Sequence, residues 1–204
     1  VCEYKPGCSA SAIMPFENVR FGISAEDQAT LEDRVKWLLR TPAAHRWLSL
    51  EPLLGPVDLA RYIVCQKTLD ECHARGLWPD CAFPNGHKCS NGLDHVVVGG
   101  ESGPGARKIH PDWVRQVRDQ CRAAGVPFTF KQWGEWAPKS QLATIVVCDH
   151  KHWGTLCRDG SWFPTATPFN GHDDDGSGEA VMIRVGKHAA GRLLDGRTWE
   201  GAIQ

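Results

Sequence analysis

The chain has 204 residues, of which 42% are hydrophobic and 23% are charged, a balance typical of a soluble globular protein and not of a disordered one. Its 23 Lys and Arg residues nearly match its 24 Asp and Glu residues, so the overall charge does not favour bulk electrostatic binding of nucleic acid. The sequence has no run of about 18 apolar residues, so it predicts no membrane-spanning helix and no membrane partner.

The nine cysteines are an odd number, and no signal-peptide pattern precedes them. A secreted disulfide scaffold is usually shorter and has evenly paired cysteines. We therefore expect a reduced, cytoplasmic protein in which some of the thiols bind metal.

The first predicted elements are a strand and an amphipathic helix. Residues 1–17 have no period and predict a loop, and residues 20–24 then alternate like a short strand. Ser24, with Asp27 three residues later, predicts the start of a helix. Pro42 ends this helix, whose apolar face comprises Leu31, Val35, Leu38 and Leu39.

Three more strands and a second helix follow along the chain. Residues 45–50, 95–98 and 127–131 each predict a strand. Pro111 suits the first turn of the second helix and Gly125 its end, and its apolar face comprises Trp113, Val114, Val117, Cys121 and Ala124. Strands that alternate with helices predict βαβ units, and therefore an α/β fold with a parallel sheet.

The remaining segments interrupt or follow this pattern. Periodicity fails over residues 60–92, which predict an insert, and two β-like segments at 144–148 and 181–185 flank a polar loop. We therefore expect an α/β domain over residues 18–138 that carries the insert, and a small β-rich appendage over residues 139–204.

Polar residues follow each of the four predicted parallel strands. Because the carboxyl ends of parallel strands form the functional edge of an α/β sheet, these residues are candidates for a site: Ser24, Glu26, Asp27, Glu51, Glu101, Ser102, Lys131, Gln132 and Glu135. The alternative is that strand ends are polar merely because they are exposed. That alternative explains one such residue more easily than four successive strand ends.

The loop after the third strand contains four glycines, namely Gly99, Gly100, Gly103 and Gly105. Glycines allow backbone N–H groups to approach a ligand closely, and Arg107 and Lys108 supply positive charge for a phosphate or carboxylate. The loop matches neither a dinucleotide-binding nor a Walker motif. A tight strand-to-helix turn is the alternative, but the loop is longer than most such connections.

Four cysteines fall within the insert, with His73 and His87 beside two of them. Zinc favours four nitrogen or sulfur ligands, and a segment without its own core needs such a support. We therefore favour a zinc site over free thiols or disulfides, with the ligands Cys65, Cys72, Cys81 and Cys89. A weaker metal candidate comprises Cys148, His150, His152 and Cys157, for which we favour a solvated loop. Cys2 and Cys8 either pair with each other or bind metal.

Two further features allow a nucleic-acid or nucleotide partner. Trp133 and Trp136 form either a platform on which a base stacks or part of the core, and we favour the core. The predicted second helix carries a stripe of arginines that is typical of a solvated face but is able to contact phosphates: Arg115, Arg118 and Arg122.

Three blocks of sequence resemble one known family. They begin NVRFGIS at residue 18, LDHVVVGGESGPGARKIHPDW at residue 93 and RVGKHAAGRLLDGRTWEG at residue 184. The chain is similar to the phage-derived three-cysteine-motif family of unknown function, also called the phage gp-thirty-seven/sixty-eight family. Its usual members are longer and begin with a three-cysteine segment that resembles the cluster-binding loop of radical S-adenosylmethionine enzymes.

This resemblance implies a partial (β/α) barrel-like sheet, which is the carboxyl-terminal half of a radical-SAM-like barrel. The chain begins with Val1 and not with Met, and it lacks the three-cysteine segment. We therefore expect S-adenosylmethionine and an iron–sulfur cluster only in a longer form, or with an amino-terminal half supplied by a separate partner. The expected compartment is the cytoplasm of a bacterial host or phage-infected cell.

Under this hypothesis the strand ends line the cavity for the cofactor or for a nucleotide or nucleic-acid substrate. The expected catalytic residues are Glu51, Glu101 and Lys131, and the expected ligand-binding residues are Ser24, Glu26, Gly99, Gly100, Ser102, Gly103, Gly105, Arg107, Gln132 and Trp133. The alternative hypothesis is a non-enzymatic, zinc-stapled α/β module that binds nucleic acid or a partner protein.

Overall fold

The computed structural model describes residues 18–63, 92–142, 153–164 and 178–201. These residues form two sheets, one of five strands and one of four. Their nine strands are β1 (Arg20–Ser24), β2 (His45–Leu50), β3 (His95–Gly99), β4 (Phe128–Gln132), β5 (Trp136–Pro138), β6 (Trp153–Cys157), β7 (Trp162–Pro164), β8 (Glu179–Arg184) and β9 (Trp199–Glu200).

The first sheet carries the candidate site. Its strand order is β1-β2-β3-β4-β9, and the pairs from β1 to β4 are all parallel. β9 pairs antiparallel with β4 and closes that side of the sheet. The predicted α/β class and the parallel pairing of its first four strands are confirmed, and the polar residues after these strands meet at one edge.

The first helix, α1 (Gln28–Arg40), begins one turn later than its sequence predicted. Its N-cap is Asp27 and not Ser24: the Asp27 side chain accepts a hydrogen bond from the Thr30 amide, and the Thr30 hydroxyl accepts one from the Asp27 amide. Ser24 instead remains in β1, where pairing with Ser49 keeps its backbone extended. The predicted apolar face is confirmed, because Leu31, Val35 and Leu38 are buried.

The second helix, α2 (Pro111–Ala124), agrees with the prediction at both ends. Pro111 occupies its first position, where a missing N–H costs nothing, and Gly125 ends it in a left-handed conformation with φ of 71°. Its buried residues pack onto the sheet and comprise Pro111, Trp113, Val114, Val117 and Cys121.

An extended segment lies between the two helices and connects β2 to the insert. The side chain of Gln28 on α1 accepts a hydrogen bond from the Asp58 amide at 2.8 Å, and that of Gln120 on α2 accepts one from the Leu59 amide at 2.6 Å. The Gln120 amide also donates to the Val57 carbonyl at 2.9 Å. Side chains of both helices therefore hold the backbone of this segment.

The second sheet is antiparallel and has the strand order β5-β8-β6-β7. It has its own small core, which comprises Ala106, Trp136, Leu156, Ala180 and Met182. β8 overlaps the predicted strand at 181–185, whereas the predicted strand at 144–148 lies outside the described residues. A β-rich carboxyl-terminal part is thus confirmed, although β5 precedes residue 139 and β9 returns to the first sheet.

Two short helices complete the described elements: a 3₁₀ helix at Lys139–Gln141 and α3 (Lys187–Ala190). No helix among the described residues is both long and apolar enough to cross a membrane.

Candidate functional site

Five of the predicted residues meet where β2, β3 and β4 end. We call them the edge cluster: Glu51, Gly100, Ser102, Lys131 and Gln132. Glu51 directly follows β2, and its carboxylate accepts hydrogen bonds from Lys131 Nζ at 2.9 Å and from Gln132 Nε2 at 3.3 Å. The parallel register brings these residues together although they stand 80 and 81 positions apart in the chain.

Gln132 is the buried centre of the edge cluster, with only 7% of its surface exposed. Its Nε2 also donates to the Gly100 carbonyl at 3.2 Å and to Ser102 Oγ at 3.4 Å. These contacts fix the orientation of the amide, since all three acceptors lie on the nitrogen side. The other end, Oε1, is buried and has no hydrogen-bond partner among the described residues. A buried acceptor without a donor costs about 1–3 kcal/mol.

Two glycines allow the loop after β3 to lie directly against the residues after β4. A Cβ atom at Gly100 would fall 1.8 Å from the Trp133 carbonyl oxygen. A Cβ at Gly134 would fall 2.1 Å from the Glu101 carbonyl oxygen, and Gly134 also has a φ of +83°. The Gly100 amide donates to the Gln132 carbonyl at 2.8 Å. Close backbone contact therefore fixes the loop after β3 against the residues after β4, next to the edge cluster.

At Gly99 the absence of a side chain has a different consequence. A Cβ at this position would fall 3.0 Å from Glu51 Oε1, so glycine leaves room for the carboxylate.

A row of four charges lies beside the edge cluster. The Arg107 side chain donates two hydrogen bonds to the Glu101 carboxylate, at 2.8 and 2.9 Å. The Arg107 backbone amide donates a third to the same carboxylate, at 2.8 Å. These bonds hold the pKa of Glu101 below its usual value. Glu26 pairs with Arg34 of α1 at 3.2 Å, and its charge also helps to raise the pKa of Arg107. Acids and bases thus alternate from the end of β1 to the loop after β3.

Ser24 contributes its backbone and not its hydroxyl to this row. Its carbonyl accepts a hydrogen bond from Arg34 Nη1 at 2.7 Å.

The glycine loop is held from the side of the second sheet. Arg184, the last residue of β8, donates to the Gly103 carbonyl at 3.1 Å and to the Pro104 carbonyl at 2.9 Å. Glu135 accepts from the Gly103 amide at 3.2 Å and donates its own amide to the Glu101 carbonyl at 2.9 Å. Gly103 has a φ of +107°, whereas Gly105 borders open space.

A family model with the description "Protein of unknown function (DUF5131)" matches residues 3–202. The chain belongs to this DUF5131 family. No curated protein and no solved structure matches the chain.

Two aromatic candidates of this DUF5131 chain lie away from open solvent. Trp133 is 1% exposed, packs edge-on against Phe130 at 4.8 Å between ring centroids and donates Nε1 to the Leu193 carbonyl at 2.7 Å. Trp136 is 7% exposed and donates to the Ala106 carbonyl. Both placements agree with the core interpretation of these tryptophans.

Lys108 also lies away from the edge cluster. Its ammonium stands 4.4 Å from the centroid of Trp136 and 4.1 Å from that of Trp162. Burial there, together with the charge of Arg184, lowers its pKa.

The predicted zinc ligands Cys65, Cys72, Cys81 and Cys89 lie outside the described residues, as do Cys2, Cys8 and Cys148. Cys121 and Cys157 are described and are free thiols. Burial raises the pKa of Cys121 to about 12, so its thiol is inert. The described part of the chain contains no group of three or more His, Cys, Asp or Glu side chains able to hold a metal ion.

Sequence reasoning missed two residues that organise the site, Arg34 and Arg184. Arg34 is an exposed residue on α1, and nothing in its local sequence distinguishes it from Arg40. Arg184 ends a strand of the other sheet, so only the packing of that sheet on the glycine loop reveals its contacts. Glu135 was recognisable as a polar residue after β4, but its bond to the Gly103 amide was not.

Proposed function

We propose that the edge cluster binds a small polar ligand that carries both hydrogen-bond donors and an anionic group. The observation that carries this proposal is Gln132 Oε1, a buried acceptor without a partner among the described residues, within a group of carboxylate, ammonium and hydroxyl side chains. Native proteins leave few such acceptors unpaired, and a ligand or a bound water usually supplies the donor.

The charges beside Gln132 define the ligand's chemistry. Glu51 and Glu101 suit an ammonium group or a pair of ribose hydroxyls, while Lys131 and Arg107 suit a carboxylate or phosphate. The side chains of Lys131 and Arg107 are 54% and 58% exposed, so a ligand reaches them without opening the core. An adenosyl amino acid such as S-adenosylmethionine, or a nucleotide, presents this combination of groups.

The strand order supports a barrel-type scaffold for this site. β1 to β4 are parallel and adjacent in chain order, which is the arrangement of half of a (β/α) barrel, whose sites lie at the carboxyl ends of the strands. We therefore propose that the chain forms half of a radical-SAM-like barrel of phage type. An amino-terminal half, covalently attached or separately encoded, would extend the sheet beyond β1, because β9 already pairs with the other edge, at β4.

S-adenosylmethionine fits the donor set of this edge, and an iron–sulfur cluster does not. When bound, the cofactor supplies a reactive sulfonium centre. Glu51, Gln132 and Lys131 would hold its polar groups, and the close backbone packing at Gly100 would keep water from beneath it. Neither described cysteine, Cys121 on α2 or Cys157 on β6, belongs to a group of three or more His, Cys, Asp or Glu side chains able to hold a metal, so we derive no step through a cluster.

Calorimetric titration of the whole chain with S-adenosylmethionine and with adenosine monophosphate tests the proposal. Wild type is expected to bind at least one of them, because the edge cluster lies wholly within this chain. Glu51→Gln and Gln132→Met are expected to weaken binding about 10-fold or more, because each loses a hydrogen bond involving a charged or buried group. Asp33→Asn is the matched control, since Asp33 also pairs with a lysine at 2.9 Å but on the exposed surface of α1.

Two results would overturn the proposal. One is that the wild-type chain binds neither ligand. The other is that Glu51→Gln and Gln132→Met bind as tightly as the Asp33→Asn control.

A further inference from the structure

A second polar surface lies where β9 meets α2, away from the edge cluster. Three guanidinium groups surround the indole of Trp199, and we call the four residues the arginine patch. The distances from the guanidinium carbons to the ring centroid are 3.5 Å for Arg197, 5.2 Å for Arg118 and 5.9 Å for Arg122.

Trp199 is a fixed support for these arginines. Its Nε1 donates to the Leu194 carbonyl at 3.1 Å, and its ring packs edge-on against Phe128 at 5.9 Å. Pairing of Trp199 with Phe130 places it on β9, the outermost strand on that side of the sheet. The arginines therefore face a surface that the sheet leaves open.

The charges of the patch are only partly compensated. Arg118 is neutralised by Asp119 at 2.8 Å and by Asp195. Arg122 and Arg197 are exposed, and neither guanidinium group has a hydrogen bond or an ion pair with any residue that the structure describes. Each guanidinium carries five N–H donors, and stacking on an aromatic ring leaves its donor edges available.

We propose that the arginine patch binds the phosphodiester backbone of a nucleic-acid strand. Arginine guanidinium groups bind phosphate oxygens in a bidentate geometry. The guanidinium groups of Arg122 and Arg197 lie against one fixed indole ring, so they are pre-organised to bind phosphate. Arg197 already covers the indole at 3.5 Å, so the ring is not available to stack on a base. The contact is therefore to the backbone and independent of sequence.

The same geometry disfavours an anionic membrane as the partner. Membrane-surface segments insert aromatic or aliphatic side chains into the interface. Here the indole is covered by Arg197 and tied through Nε1 to the backbone. The net charge of the whole chain is −1, so binding depends on the local patch and is expected to be weak and strongly dependent on salt.

The test is fluorescence anisotropy with a labelled single-stranded oligothymidylate, titrated at low salt and then over increasing salt. Arg122→Gln/Arg197→Gln is expected to bind about 10-fold more weakly or worse at low salt. Its plot of log affinity against log salt should be shallower by about 1.4, since each phosphate contact on single strands contributes about 0.7. Arg20→Gln/Arg61→Gln is the control, because it changes the net charge equally at two other exposed positions.

The proposal is overturned if the wild-type chain does not bind the oligonucleotide at low salt, or if both double variants lose affinity equally. It is also overturned if the patch arginines are required for binding to phosphatidylserine-containing vesicles but not to the oligonucleotide. Circular dichroism and thermal unfolding verify that each variant remains folded.

Discussion

Gly100 occupies the position with the least space in the candidate site. Its Cα lies against the backbone of residues 133 and 134, so that any side chain at residue 100 meets the Trp133 carbonyl oxygen. The Trp133 carbonyl belongs to the backbone directly after β4, so it cannot move aside as a flexible side chain could. The glycine is therefore required by packing, whether or not a ligand is present.

Gly100→Ala is accordingly expected to lower the free energy of unfolding by about 1–3 kcal/mol, the usual cost of an inserted methyl group in a tight space. Gly105→Ala is the control, because nothing lies within 4 Å of its Cβ position, and it should change stability by less than about 0.5 kcal/mol. Urea unfolding followed by circular dichroism measures both. Equal stability of the two variants would contradict the close backbone contact.

His110 connects stability to pH at the start of α2. It is 1% exposed, and its Nδ1 accepts a hydrogen bond from the Asp112 amide at 3.1 Å. Burial lowers its pKa below 6.5, so the unfolded chain takes up a proton before the folded one does. The contribution of neutral His110 to stability is therefore complete above about pH 6.5 and is lost as the pH falls below it.

His110→Asn is expected to flatten the decline in unfolding free energy between pH 6.5 and pH 5, a decline of at most about 1.4 kcal/mol per pH unit for one group. Asparagine preserves an acceptor for the helix cap but does not titrate. Burial also lowers the pKa of His95, so part of the decline should remain. The exposed His188 supplies the control; if His188→Asn and His110→Asn give the same slope, His110 is not the titrating group.

At the scale of elements, the loop after β3 depends on contacts from the opposite sheet. Arg184 and Glu135 bond the loop backbone at Gly103 and Pro104, while Glu101 and Arg107 clamp it from within. The second sheet is therefore part of the site's architecture, although it contributes no residue to the edge cluster.

Arg184→Met is expected to loosen this loop, because it removes two hydrogen bonds from a charged donor. Amide hydrogen exchange, measured by NMR, should accelerate about 10-fold or more at Gly103 and Arg107 while the β4 amides remain protected. Lys187→Met is the control, since Lys187 is exposed at the start of α3. Unchanged exchange at Gly103 in the Arg184 variant would show that the second sheet does not hold the loop.

The four parallel strands and the two long helices could be predicted because their signals are local. Alternation identified β1, and the helical spacing of Leu31, Val35 and Leu38 identified α1. β5 and β9 have only three and two residues, too few to show a period. Their pairing depends on partners more than 40 positions away, which no local pattern encodes.

At the scale of the whole molecule, the rule for parallel sheets predicted where the polar residues gather but not how they pair. It placed Glu51, Lys131 and Gln132 at one edge, and the structure joins them. It gave no reason to expect that Gln132 would be buried with its side-chain oxygen lacking a partner among the described residues, since this depends on side-chain orientation. The assignment of Glu51, Glu101 and Lys131 as catalytic stays a prediction, as does the zinc site over the insert.

The charge distribution of the whole molecule separates two surfaces. The edge cluster and its neighbouring row alternate acids with bases, which suits a ligand of mixed charge. The arginine patch instead leaves Arg122 and Arg197 uncompensated among the described residues, which suits a polyanion. A single chain of net charge −1 thus presents two chemically different surfaces.

Chemical-shift mapping of the labelled chain during titrations with S-adenosylmethionine and with adenosine monophosphate tests the central claim most directly. The largest amide and side-chain shifts are expected on Glu51, Gly100, Ser102 and Gln132, including the Gln132 side-chain amide, whereas Trp199 is expected to be unaffected. An absence of shifts with both ligands, or shifts confined to residues outside the carboxyl edge of β1 to β4, would contradict this claim.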